Sequence, residues 1–252
     1  MPGGTPEQKL AIRKAVAASV DRDALSENVY KGTFTPAWSV VPSGLEGANT
    51  AFKDIYGESP NTDEAAKFLS DAGVQTPVAV NLQYNPDHYG SSSSEEYAAV
   101  KAQLEDTGLF TVNLQSTEWV QYAKDRTADV YPAYQLGWFP DFPDADNYLS
   151  PFLTPYDDEQ SGNFTNSHYN EIGSPFADDT MTKLLDDERT DADQASREAT
   201  LGEIQQRVAD QVEGEREDQD RGVDEQRQRQ PDARRQHAED PWPEQVQPAE
   251  DE

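Results

Sequence analysis

Between Val78 and Leu136 the apolar residues switch repeatedly between a period of two and a helical period. That alternation, more than any other feature, limits what the chain can fold into. Val78, Val80, Leu82 and Tyr84 alternate with smaller or polar residues, the spacing of a strand with one strongly apolar face. Ser92 to Thr107 then presents Tyr97, Ala99, Val100 and Leu104 as a helix, stopped by Gly108. Val112 and Leu114 mark a second strand, Trp119 to Lys124 a short helix, and Val130 to Leu136 a third strand. Strand, helix, strand, helix, strand is the order of parallel pairs joined by right-handed crossovers, so the expected class is α/β.

The flanks read as helix and crossing segment. Leu10 to Val20 repeats apolar residues at helical spacing, and Asp21 can cap a second helix that carries Leu25 and Val29 and ends at Gly32. Thr33 to Gly47, with Pro36, Pro42 and Gly44, reads as an extended, turn-rich crossing. Asn61 or Thr62 caps a short helix through Ala65, Phe68 and Leu69, closed by Gly73. From Phe176 to Val212 the sequence reads helical, with Met181, Leu184, Leu185, Leu201, Ile204 and Val208 as buried stripes.

Composition changes abruptly after Val212. Residues 213–252 hold 14 acidic side chains, six Arg, seven Gln and four Pro, with no Leu, Ile, Phe, Tyr or Met. Such a segment cannot bury enough apolar surface to offset about 1–2 kcal/mol per residue of backbone ordering, so it is expected to be disordered. The chain's formal net charge of −29 is therefore −8 on the tail and −21 on residues 1–212. A field of that sign disfavours general binding to phosphate backbones or anionic bilayers. The absence of cysteine excludes disulfides, thiolate metal sites and thiol catalysis. No window reaches the roughly 18 apolar residues of a membrane span. The start, Met1 to Pro6, has no basic region followed by an apolar core, so no secretory signal is read there.

Ligands of open parallel sheets sit outside the carboxyl ends of the strands. The third strand delivers its carboxyl end into Gly137-Trp138-Phe139-Pro140-Asp141-Phe142-Pro143-Asp144-Ala145-Asp146-Asn147. Aromatic rings there offer apolar walls that lose little entropy on binding. A partly desolvated Asp141 is a natural partner for an ammonium group. The competing reading is a turn in which Pro sets φ, Asp caps the backbone and the rings pad the core.

Several ordered motifs bear a family resemblance. Ile12 to Leu25, with Arg13, Ala15 and Asp21-Arg22, is similar to an "R-x-A-x-x-x-x-x-D-R" helix, and Tyr30-Lys31-Gly32, Thr35-Pro36-Ala37 and Val41-Pro42 to the crossing that follows it. Ala65 to Gly73 looks like an "A-K-x-L-L-x-x-A-G" helix, and Glu118-Trp119 with Gly137 to Asp144 like an "E-W" and "G-W-x-x-D-x-x-D-P" pair, with Ala145 where Pro is usual. Over about residues 9–212 the chain resembles the extracellular solute-binding proteins of ABC transporters, in the large oligopeptide/dipeptide/nickel-binding family.

The resemblance implies a type II periplasmic-binding-protein-like fold of two lobes closing on a hinge, with residues 1–212 forming mainly the second lobe. It implies no enzyme activity and no cofactor, a peptide or other small-molecule ligand, an ABC transporter permease as partner, a monomer, and a place in the periplasm or on the outer face of the membrane. By position, Asp141 matches the carboxylate that pairs with a peptide's amino terminus. Trp138 and Phe139, beside Gly137, match pocket-lining residues, and Trp119 an aromatic wall. Arg126 matches a basic position near the ligand's carboxylate end, and Gln135 falls where another Arg occurs. A first lobe, a signal sequence and a lipid-anchor cysteine are expected ahead of residue 1. The family continues after Val212 with an apolar, Pro-containing strand, where this sequence has Glu213-Gly214-Glu215-Arg216. The tail is accordingly read as out-of-frame translation of a GC-rich gene, which the other two frames test.

Other chemistries stay open on the residues alone. His88, His168 and His237 share no close spacing, and Asp144 to Asn147 lacks the Gly and distal Glu of a calcium loop. Asn163-Phe164-Thr165 is a formal glycosylation triplet in a turn-like setting. An acidic glycoside hydrolase fragment using the Asp141–Asp146 carboxylates is the enzyme alternative, and a non-functional truncated remnant is the third.

Overall fold

The structure, a computed structural model, describes residues 4–128, 130–154 and 179–211. The tail at 213–252, Phe176, the Asn163 triplet and His168 lie outside the described residues.

The first helix, α1 (Pro6–Ser19), starts on a reciprocal cap: Gln8 N–H donates to the Thr5 hydroxyl, and Thr5 N–H donates to the Gln8 amide oxygen. Asp21 caps α2 (Arg22–Asn28) through the Ala24 N–H, as its position predicts. The crossing segment leads to a short α3 (Ala51–Tyr56), which the apolar spacing did not announce. Asn61 caps α4 (Thr62–Asp71), and its own N–H donates to Ala18, tying α4 to α1.

Two parallel strands follow, β1 (Val78–Tyr84) and β2 (Phe110–Ser116), in register from Val78 opposite Phe110 to Tyr84 opposite Ser116. Helix α5 (Ser93–Asp106) makes the crossover between them. One core forms where Ile12, Ala15 and Ala18 of α1 and Ala65 and Leu69 of α4 meet Val78, Val80, Phe110, Val112 and Leu104. After β2, α6 (Trp119–Thr127) runs three residues beyond its expected end at Lys124.

The expected third strand is corrected. Between Val130 and Leu136 only Tyr134 forms a bridge, parallel to Gln83. Gln83 N–H donates to Ala133, and Gln135 N–H returns to Gln83, both at 2.9 Å. Beyond this bridge the Asn85 N–H goes to the Gln135 side-chain oxygen and the Gln135 carbonyl accepts the Tyr122 hydroxyl, while at the other end Val130, 58% exposed, folds its N–H back onto Asp125 at the end of α6. The segment still lies beside β1, so its carboxyl end reaches the same edge of the sheet.

A second core joins Val41 of the crossing to α7 (Asp146–Leu153), α8 (Asp179–Thr190) and α9 (Gln194–Gln211). Every apolar residue named for the final stripes is buried there. The expected single helical run is broken at 191–193, where Asp193 accepts the Ser196 N–H and restarts the chain as α9. Gly47 shows why the crossing needs glycine. At φ +79 a Cβ would lie 2.6 Å from Leu201 Cδ1. Among the described residues no helix is long and apolar enough to cross a membrane.

Candidate functional site

The carboxyl ends of β1, β2 and the Tyr134 segment converge, and a buried asparagine holds them together. Asn85 follows β1. Its N–H donates to Gln135 Oε1 at 2.9 Å, its amide donates to Asp87 Oδ1 and the Thr117 carbonyl, and its Oδ1 accepts the N–H groups of Asp87 and His88. Asp87 Oδ1 also accepts the Trp119 N–H at the first turn of α6. One residue therefore orders the loops after both strands with its side chain, and the segment beside them with its backbone N–H.

These loops build an aromatic array. His88 lies flat on Trp119, ring centroids 3.6 Å apart and 7° between planes. Tyr89 meets Trp119 edge-on at 5.6 Å, Tyr122 stacks on Trp119 at 6.3 Å, and Phe139, 71% exposed, stands edge-on to His88. Gly137 makes the array possible: a Cβ there would sit 2.5 Å from Tyr89 Cδ1. Burial pushes the Tyr89 phenol up, against the pull of nearby Arg126. Arg126 is half-buried, and its Nε is buried with no acceptor in reach.

The predicted residues thus divide. Trp119, Phe139, Gly137 and Arg126 gather around the converging ends. Gln135 does not offer its amide outward, because Oε1 takes Asn85 N–H and Nε2 donates to Ser93 Oγ at 3.0 Å. Trp138 turns its indole toward the second core, edge-on to Phe152, and gives its N–H to Asn147 Oδ1.

Asp141 is corrected in one respect: its side chain is exposed rather than partly desolvated. The cause is Asn147, which also accepts the Asp141 N–H at 3.0 Å and so fixes the turn with the carboxylate outward. Among the described residues the Asp141 carboxylate has no hydrogen bond or ion pair, which leaves its charge available.

The other carboxylates of the loop are engaged. Arg197 Nη2 bridges Asp144 Oδ1 (2.6 Å) and Glu188 Oε2 (2.9 Å), while Arg189 pairs with Asp146 at 3.0 Å and Ser150 donates to the same carboxylate. Glu188 is 0% exposed, and its Oε1 has no ordinary donor in reach. Burial, then the facing Asp146 carboxyl, push Glu188 up to about 7, against Arg197. Burial would also raise Asp146, but hydrogen bonds from Ser150, Glu188 and Arg189 outweigh it and hold that group low. One proton shared by Asp146 and Glu188 satisfies both.

Sequence reasoning missed Asn85, His88, Tyr89 and Asn147 as site-building residues. The Asn85-Pro86 turn at the end of a predicted strand was the available signal for the first three. Asn147 had none, because it works from inside a helix that the spacing did not predict.

The family model for bacterial extracellular solute-binding proteins, family 5 Middle, matches residues 3–160. The Haemophilus influenzae periplasmic oligopeptide-binding protein OppA is 28% identical over 155 residues, covering 59% of this chain and 28% of that protein. Bacillus subtilis oligopeptide-binding protein OppA is 26% identical over 203 residues, covering 78% of this chain and 34% of its own length. The chain therefore spans only about a third of these relatives. In fold it is similar to the dipeptide binding protein of Pseudoalteromonas sp. SM9913 in complex with Met-Leu. The TM-score is 0.67 at 21% identity, over 81% of this chain and 38% of that one. On the match over residues 3–160, this chain belongs to the bacterial extracellular solute-binding proteins of family 5.

Proposed function

We propose that residues 1–212 form one lobe of a receptor that captures peptides or similar small solutes and delivers them to an ABC transporter permease. Its place is the periplasm or the outer face of the membrane, it acts as a monomer, and it performs no chemistry on the ligand. The observation that carries the reading is the convergence of Trp119, Phe139 and Arg126 at the strand ends, with an unpaired Asp141 on the adjoining loop, in a chain of this family. Asp141 pairs with the ligand's amino terminus, and Trp119 and Phe139 supply contact area. Arg126 faces the ligand's carboxylate end, while Gly137, Trp138 and Gln135 position the loop. Closure of a second lobe supplies the desolvation that Asp141 lacks in this one.

Hydrolysis is the weaker reading. Asp144 and Asp146 are held by arginines, and the carboxyl with a raised affinity for protons, Glu188, is fully buried away from any substrate. The test is a calorimetric titration with tripeptides bearing free or acetylated amino termini. Asp141→Asn is expected to weaken free-amine peptides about 10–100-fold, the worth of one charge-assisted hydrogen bond, and to leave acetylated ones nearly unchanged. Equal loss for both rejects the ammonium-pairing role.

A further inference from the structure

The indole of Trp119 is the broadest stacking surface at the strand ends, yet His88 already covers it. The two rings are parallel within 7° at 3.6 Å, closer than the other ring pairs of the array. Tyr89 closes the side of the stack, edge-on to His88 at 4.9 Å and to Trp119 at 5.6 Å, and Phe139 meets His88 edge-on at 6.4 Å. A flat group that entered between Phe139 and Trp119 would land where the imidazole now lies.

The anchoring of His88 is uneven. Its backbone is fixed, since its N–H donates to Asn85 Oδ1 at 2.6 Å. Its side chain is exposed and has no hydrogen bond among the described residues, so stacking alone holds the ring in place. Trp119 is held from the other direction, with its backbone N–H on Asp87 and its ring packed against Tyr122 and Tyr89. The indole is a fixed platform and the imidazole a loose cover on it.

We propose that His88 is a displaceable shutter over an aromatic side-chain subsite, swinging off Trp119 when a peptide carrying a ring enters and staying closed over small side chains. This rests on the capture reading above and names the ligand feature that the lobe discriminates. Each aromatic ligand must exchange one stacked pair for another, which flattens any preference of the wild-type site for rings.

The experiment compares the full chain with its His88→Ala variant, using Ala-Ala-Ala and Ala-Trp-Ala as probes. The variant is expected to improve the Ala-Trp-Ala to Ala-Ala-Ala affinity ratio about fivefold, equivalent to about 1 kcal/mol, with Ala-Ala-Ala itself little changed. A ratio that stays the same or falls, with Ala-Ala-Ala still bound, overturns the shutter and makes His88 a ligand contact or a bystander. A second readout needs no peptide: acrylamide quenching of Trp119 emission, isolated by subtracting a Trp119→Phe protein. Removal of a cover raises the quenching constant; an unchanged constant overturns the proposal. Absence of peptide binding by both proteins overturns the capture reading instead, and the quenching result then decides the cover by itself.

Discussion

Arg197→Met is expected to destabilise the folded chain by about 3–5 kcal/mol at pH 8, the range for removing one partner of a buried ion pair. Its guanidinium is 19% exposed and serves two acids at once. Nη2 reaches Asp144 and Glu188, and Nε reaches both the carboxylate and the backbone oxygen of Glu188. Methionine matches the stem but donates nothing, so an ionised Glu188 would stand buried beside Asp146 with no counter-charge. The loss should shrink toward pH 5, where Glu188 takes up a proton and its need for a cation falls. Burial works against the ionised form of Asp144, yet hydrogen bonds from Arg197 and the Asp146 N–H hold it below the usual carboxylate range. Its pairing with Arg197 therefore persists across both pH values. Urea unfolding of variant and wild type at pH 5 and 8 measures the effect. A loss under about 1 kcal/mol at pH 8, the worth of an exposed pair, would contradict it.

Glu188→Gln is expected to abolish a pH dependence that the wild type shows. The folded-state affinity of Glu188 for a proton is raised, from an ordinary 4.5 to about 7. Its contribution is therefore complete below the unfolded value and is lost as pH rises through the folded one. Between pH 5 and 8 this proton alone is worth up to about 3 kcal/mol of falling stability. Asp146 shifts the opposite way, so it loses stability only as pH falls below that window. Glutamine keeps both contacts without a titration: its amide donates to Asp146 and its oxygen accepts from Arg197. The variant should match the wild type near pH 5 and unfold at a higher temperature near pH 8. Parallel pH profiles for the two proteins would contradict the shared proton.

Both predictions concern residues that sequence reading could not see, and the reason is physical. Periodicity reports which side chains face a core, so the β1–α5–β2 unit and the stripes of α8 and α9 were legible to within a few residues. Caps at Asp21 and Asn61 were legible because their chemistry is local. The third strand misled because Val130 and Leu136 suggest alternation, whereas pairing stops where the Asn85 N–H turns to the Gln135 side chain and the Val130 N–H to Asp125. The Asp144, Asp146, Glu188 and Arg197 cluster joins positions more than 40 residues apart, and no spacing rule links a loop carboxylate to an arginine of a distant helix. Asp141 and Trp138 stood out as candidates through their motif. That Asn147 would take both the indole N–H and the Asp141 N–H, and so turn the carboxylate outward, was not legible.

The central claim is that a peptide rests on the converging strand ends of this lobe. Photo-crosslinking tests it most directly, using a saturating tripeptide with a benzophenone side chain and mapping the adducts by mass spectrometry. Adducts in residues 85–92, 117–126 and 137–142, competed away by unlabelled peptide, are the predicted result. Saturable binding whose adducts fall only in α1 and α4, or only in α8 and α9, would contradict it.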